Sequence, residues 1–187
     1  MKLILFSGSL RRESLNRKFL ANADEILRSI SGVETLVADL AELNFPVYNG
    51  DIEAQGIPQS VQKFSKQIQE SDGIVISTPE YNGGIASPVK NALDWVSRIK
   101  PMPWTGKPLL LMGASPGALG AVRGLWHTRV PFEAAGTLVF PDMMGLPQAN
   151  LAFVESSKLK DTQMKQRLMT LLQNYMSFVR KNSTTNL

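Results

Sequence analysis

The sequence predicts a doubly wound α/β sandwich of three layers, with a five-stranded parallel sheet between two layers of helices, formed by residues 1–187 as a single domain. Three observations carry this. Five short apolar runs lack the polar alternation of a half-solvated strand, as expected for strands covered on both faces. Stretches of helical periodicity separate those runs, and strand–helix–strand units with right-handed crossovers give a parallel sheet with helices on both sides. Finally, 187 residues at 43% hydrophobic and 19% charged suit one domain at roughly 100–200 residues per domain. That apolar content supports a core without disulfides or metals and argues against disorder.

In chain order, the first strand is Leu3 to Phe6. Leu15, Phe19, Ile26, Leu27 and Ile30 then fall close to one helical face. Val33 to Ala38 is the second strand, and Leu43 to Gly56, with Asn44, Pro46, Asn49 and Gly50, reads as a loop. Val61, Phe64 and Ile68 form a short helical stripe after Pro58, ahead of a third strand at Gly73 to Ser77. Ser87 is the expected N-cap and Pro88 the first helical residue of a helix whose stripe is Val89, Ala92, Leu93 and Val96. Leu109 to Met112 is the fourth strand. Leu119 to Ala135 reads as helical, with Pro131 expected to kink or restart it. Leu138 to Phe140 is the fifth strand. Leu168, Leu171, Leu172, Tyr175 and Val179 mark a long final helix, followed by a frayed tail at Ser183 to Asn186. No repeat, low-complexity segment or linker interrupts the pattern.

The chain has no cysteine and one histidine, His127. Disulfide scaffolds, thiolate zinc sites, cysteine-ligated iron–sulfur clusters, cysteine nucleophiles and histidine-rich metal sites are thereby excluded. Gly113-Ala114-Ser115-Pro116-Gly117 fits the GxSxG nucleophile elbow, which needs its acid between serine and histidine. Between Ser115 and His127 there is neither Asp nor Glu. A serine hydrolase is therefore rejected, and His127 is expected to be dispensable.

Twenty basic against sixteen acidic residues give a net charge of +4, which permits an anionic ligand. The late lysines and arginines interleave with apolar residues at helical spacing and lack aromatic interleaving, so no nucleic-acid partner is expected. The four apolar residues after Met1-Lys2 fall short of a signal-peptide core, and no run reaches the ~20 apolar residues of a membrane span. A soluble cytoplasmic protein is expected.

In a doubly wound sheet the ligand lies beyond the carboxyl ends of the strands, where strand order reverses. After the first strand, Ser9, Arg11, Ser14 and Asn16 bring hydroxyls, a guanidinium and an amide to a helix N-terminus, a composition suited to a phosphate dianion. Neither GxxxxGK[ST] nor GxGxxG is present, so a monophosphate is favoured over a nucleoside triphosphate or a dinucleotide. After the third strand, Pro79, Glu80, Tyr81, Asn82, Gly83 and Gly84 combine a restricted backbone, an aromatic face and close backbone approach, suited to a planar heteroaromatic ligand. After the fourth, Ser115 and Gly117 form a third edge of the same site.

The stretches Gly8 to Asn16, Pro79 to Ile85 and Lys90-Asn91-Ala92-Leu93-Asp94-Trp95 resemble the NAD(P)H-dependent FMN reductase family of flavodoxin-like proteins, which includes quinone, azo-dye and chromate reductases. The likeness runs from Met1 to about Asp142. It implies that FMN is the cofactor, with NADPH or NADH as co-substrate. It implies that Ser9, Arg11, Ser14, Leu15 and Asn16 surround the FMN phosphate, that Pro79 to Gly83 contact the ribityl chain and isoalloxazine, and that Ser115 and Gly117 lie near the pyrimidine edge. Ala86-Ser87-Pro88 stands where Pro-Gly is frequent, and Ala121 replaces a frequent glycine.

The activity so implied is ping-pong two-electron reduction of quinones or similar acceptors, such as free flavin, azo dyes or chromate, with the flavin as the reactive group and no catalytic side chain or metal. A flavodoxin-type carrier reduced by a partner protein is the alternative, disfavoured by the positive charge and by Arg11. A homodimer or homotetramer is expected, with the Asp94-Trp95-Arg98 edge a candidate interface.

Overall fold

The computed structural model describes residues 1–183. Its elements are β1 (Lys2–Ser7), α1 (Leu15–Arg28), β2 (Glu34–Ala38), α2 (Leu40–Leu43), α3 (Gly50–Ala54), α4 (Gln59–Gln69), β3 (Gly73–Ser77), α5 (Ser87–Val96), β4 (Pro108–Ala114), α6 (Val122–Ala134), β5 (Leu138–Val139), β6 (Met144–Leu146) and α7 (Thr162–Ser183). All strand pairs are parallel and the order is β2-β1-β3-β4-β5. The order reverses between β1 and β3, as in flavodoxin-like folds, so the crevice lies above the carboxyl ends of those two strands.

Alternate residues of the central strands serve two cores. Leu3, Leu5, Val75, Leu110 and Met112 pack under α1 and α7. Ile4, Phe6, Ile74, Ile76, Leu109 and Leu111 pack under α4, α5 and α6. Because both faces are covered, polar alternation is absent from β1, β3 and β4. The edge strand β2 differs: Leu36 and Val37 are 43% and 48% exposed, since helices flank it only in part.

The last helix is locked to the sheet by Tyr175. Its buried hydroxyl accepts from the Ile74 N–H at 2.9 Å and lies 2.8 Å and 3.0 Å from the carbonyls of Ile74 and Pro108. Burial raises the pKa of this phenol. A Cβ at residue 73 would come within 2.7 Å of that hydroxyl, which is why β3 opens on glycine.

Several expectations are corrected. The fifth position in the sheet is filled by two short strands: β5 pairs with Pro108 and Leu109, and β6 pairs with Met112 to Ala114. Pro141 has no N–H for the ladder, and the Arg129 guanidinium takes the stranded carbonyls of Phe140 (3.0 Å) and Val139 (3.2 Å). The expected loop from Leu43 to Gly56 contains α3 and begins at the end of α2. These helical turns are capped by Asp39 and Asn49 and are too short to show a periodicity. Helix α5 begins one residue earlier than expected, with Ala86 rather than Ser87 as its cap and no side-chain cap bond. Helix α6 runs through Pro131 as one element, and the carbonyl deprived of its donor belongs to exposed His127. Trp95 is fully buried and donates to the Pro46 carbonyl at 2.7 Å, so it offers no surface to a partner. Ser183 closes α7, and the rest of the expected tail, residues 184–187, lies outside the described residues.

Candidate functional site

The loop from Gly8 to Ser14 is drawn tightly onto the sheet. Gly8 donates to the Ser77 carbonyl at 2.9 Å, and a Cβ there would collide with the Thr78 hydroxyl and approach a Val89 methyl to 2.6 Å. Beyond it, Arg17 forms a two-pronged ion pair with Asp39 (2.6 Å and 2.7 Å) and donates to the Ser9 carbonyl at 3.4 Å. Asp39 also caps α2 through the Ala41 N–H. Burial pushes its pKa up, but the Arg17 and backbone hydrogen bonds outweigh this and hold it below the ordinary carboxylate value. The sequence pattern did not single out Arg17 and Asp39, since a residue in a helix's first turn and an aspartate after an edge strand look like ordinary surface.

Within this frame, Ser9 and Ser14 are buried while Arg11 is exposed. The Ser9 hydroxyl and the Arg11 guanidinium make no hydrogen bond among the described residues. Nor do the backbone N–H groups of Arg11, Arg12, Glu13 and Ser14 donate to other backbone groups. Ser14 is the N-cap of α1, accepting from the Asn16 and Arg17 N–H groups at 3.2 Å and 3.4 Å, and its own proton is uncommitted. Leu15, the first residue of α1, packs partly buried against the core.

The Asn16 side chain is engaged by the protein through both of its polar atoms. Its amide donates to the Ala114 carbonyl at 2.9 Å, and its oxygen accepts from the Ala114 N–H at 2.8 Å and the Ser77 hydroxyl at 3.1 Å. It is a buried strut joining the start of α1 to the ends of β3 and β4.

After β3, Tyr81 and Gly84 exchange both backbone hydrogen bonds (3.2 Å and 2.9 Å) around Asn82 and Gly83, whose φ angles are +50° and +75°. Two positive φ values at the centre mark a type I′ turn, to which Asn-Gly is suited. The turn displays Tyr81, which is 43% exposed. Pro79 precedes it, partly buried.

The Glu80 side chain is turned onto α6. Its carboxylate accepts from Arg123 Nε at 2.7 Å and from the Gly124 N–H at 3.1 Å, capping α6, whose own cap residue Ala121 has no polar side chain. Burial pushes the Glu80 pKa up, but Arg123 and the helix N–H groups outweigh it and hold it below the ordinary value. Gly124 permits this approach, since a Cβ there would lie 2.9 Å from Glu80 Cα. A glycine inside a helix costs about 1 kcal/mol against alanine, and that cost was the available signal for the close packing.

The third edge runs from Ser115 to Gly120. Ser115 donates its N–H to the Leu146 carbonyl at 3.2 Å, and the Gly117 carbonyl accepts from Gln148 at 3.2 Å. The Ser115 hydroxyl has no partner among the described residues, and the N–H groups of Gly117, Ala118 and Leu119 donate to no other backbone group.

The uncommitted donors thus fall at two places. One set, at the start of α1 with Arg11, suits a phosphate, and the other, after β4, suits the carbonyl edge of a heterocycle, with Tyr81 after β3. This donor set fits FMN. Residues 1–150 match the model of the NADPH-dependent FMN reductases. The chain belongs to that family. It is 34% identical over 183 residues to an NAD(P)H-dependent FMN reductase of Pseudomonas aeruginosa, covering 97% of this chain and 96% of that one. It is 36% identical over 181 residues to an NAD(P)H:quinone oxidoreductase of Solanum tuberosum, covering 92% and 89%. Among solved structures, the flavoenzyme NAD(P)H:(acceptor) oxidoreductase FerB of Paracoccus denitrificans superposes with a TM-score of 0.83 at 26% identity, covering 97% of this chain and 98% of that one. As a member of the FMN reductase family this chain is an oxidoreductase that uses FMN and NAD(P)H. Among the described residues, no helix is long and apolar enough to cross a membrane.

Proposed function

We propose that this FMN reductase passes two electrons from NAD(P)H to quinones in a ping-pong cycle, with free flavin, azo dyes and chromate as further acceptors, and that it works in the cytoplasm as a homodimer or homotetramer. The observation that carries this reading is the grouping of uncommitted donors at the β1–α1 loop with an exposed tyrosine on a rigid turn at the strand-order reversal.

Ser9, Arg11, Ser14 and the open N–H groups before α1 hold the phosphate. Pro79, Tyr81, Asn82 and Gly83, with the backbone of Glu80, line the ring system. Ser115 and the N–H groups at Gly117 and beyond meet the pyrimidine edge, where fixed donors stabilise negative charge without reorganising. A bound FMN would supply the hydride and two-electron transfer chemistry between the nicotinamide and the acceptor. The residues here bind, orient and exclude water, and none needs to act as an acid or base. One stacking place beside Tyr81 serves both substrates, so the oxidised nucleotide leaves before the acceptor enters. A second subunit over the open side at Tyr81 would wall this place from solvent.

The test is steady-state oxidation of NAD(P)H by the purified protein against a benzoquinone at several fixed nucleotide concentrations. Parallel double-reciprocal lines are expected, and intersecting lines would defeat the single-place argument. Oxidation without any partner protein separates this reading from a flavodoxin-type carrier. Light scattering at micromolar concentration tests the subunit wall, which a monomer would remove.

A further inference from the structure

Among the described residues, the cations on α1, α5, α6 and the loops leading into them are almost all spent on carboxylates. Arg17 pairs with Asp39 at 2.6 Å, Lys18 with Glu13 at 3.5 Å, Arg28 with Asp24 at 3.0 Å and Lys90 with Asp94 at 2.7 Å. Arg123 pairs with Glu80, and Arg129 with Glu133 at 2.7 Å. Two remain: Arg11 and Arg12, adjacent in the β1–α1 loop, both exposed and neither bonded to any described residue.

One phosphate monoester matches the fork of one guanidinium, and the reading above assigns the FMN phosphate to Arg11. No described group engages Arg12, so its guanidinium is available to a second phosphate. The reaction brings further phosphates to this crevice, those of the nicotinamide nucleotide. Its pyrophosphate is common to NADH and NADPH, whereas the 2′-phosphate is a dianion that only NADPH carries. Arginine suits such a terminal phosphate because its fork binds two oxygens at once. Nothing nearby repels the group: α1 has no acidic residue in its first turn, and Glu13, the one acid of the loop, is turned to Lys18.

We propose that Arg12 is a specificity-determining residue that pairs with the 2′-phosphate of NADPH and makes NADPH the preferred donor over NADH. This rests on the reading of Arg11 as the cofactor's phosphate ligand.

The test compares wild type, Arg12→Ala and Arg12→Lys as FMN-loaded proteins. Calorimetric titration with 2′,5′-ADP and with 5′-AMP reads binding directly, and KM for NADPH and NADH reads it in turnover. In the wild type, 2′,5′-ADP is expected to bind more tightly than 5′-AMP, and the KM for NADPH to rise with salt more steeply than that for NADH. Arg12→Ala is expected to raise the NADPH KM about 10- to 100-fold, the factor for losing a charge-assisted contact. It should leave kcat, the NADH KM and FMN affinity within about twofold, the expectation for a contact made equally in ground and transition states. Arg12→Lys should recover part of the preference, because it keeps the charge and loses the fork. An equal rise for both nucleotides, no change for NADPH, or a wild type without preference would overturn the proposal while leaving the flavin site standing. Loss of FMN affinity in Arg12→Ala would instead show that Arg12 serves the cofactor, and would overturn this proposal.

Discussion

Replacing Asn16 by alanine separates two jobs that its position alone would confuse. If the buried amide is a strut, its loss leaves the N–H and C=O of Ala114 and the Ser77 hydroxyl without their partners at 2.8 Å, 2.9 Å and 3.1 Å. Each buried polar group so orphaned costs about 1–3 kcal/mol. Water entering the vacated space recovers part of this, so a total near 3 kcal/mol is expected, within a range of about 2–5. With a urea m-value of about 2–3 kcal/mol/M, the midpoint falls by roughly 1–1.5 M. Asn16→Asp, nearly isosteric, should cost a comparable amount, because a carboxylate oxygen would face the Ala114 carbonyl with no proton between them.

The assay pairs urea unfolding of the apoprotein with fluorescence titrations of FMN and riboflavin. Both flavins should bind somewhat more weakly to Asn16→Ala, and by the same factor, because the strut supports the whole crevice. The ratio between them, which reports the phosphate, should stay as in the wild type. If stability were unchanged while that ratio collapsed, the amide would be a phosphate ligand after all and the reasoning refuted.

The converse is expected of Arg11→Ala, with FMN binding weakened by about 1.5–3 kcal/mol and riboflavin titration and urea midpoint close to wild type. Glu80→Gln should keep an acceptor for the Gly124 N–H but lose the ion pair, costing about 1 kcal/mol at neutral pH because Arg123 is largely exposed. The lowered pKa of Glu80 makes its contribution fully present above the unfolded carboxyl value near 4.3, and lost as pH falls through the folded value. The stability gap between wild type and Glu80→Gln should therefore close in acid, as read by urea midpoints across pH. Tyr175→Phe should lower stability by about 1–3 kcal/mol without altering flavin affinity, since it strands the Ile74 N–H at the end of the sheet remote from the site.

The central strands were legible because β1, β3 and β4 are buried on both faces and read as unbroken apolar runs. The two edges were less so. β2 carries Glu34 and Thr35 beside its apolar residues and leaves Leu36 and Val37 partly open, and the fifth position breaks at Pro141, whose consequence is visible only where Arg129 reaches the freed carbonyls. The site divides similarly. The side-chain polar groups of Ser9, Arg11 and Tyr81, all just after strand ends, have no partner among the described residues. Asn16 and Glu80 carry equally suitable chemistry, but their side chains are claimed by Ala114, 98 positions away, and Gly124, 44 positions away. Local pattern cannot foresee such partners, since a polar residue beside a ligand loop looks the same whether it faces the ligand or braces the loop.

The hydroxyl of Tyr175 has a bearing on how the chain is made. One face of the central sheet, with Leu3, Leu5, Val75 and Leu110, is covered by α1 and α7, and α7 is secured by a residue about 100 positions after the strand it touches. On a ribosome β1 to β4 emerge well before that helix, so for much of synthesis part of an apolar sheet face lacks its final cover. Contacts of such long separation form late and slow folding, and a nascent chain in this state is exposed to association with its neighbours. The segments that form the flavin crevice thus leave the ribosome before the helix that closes this seam.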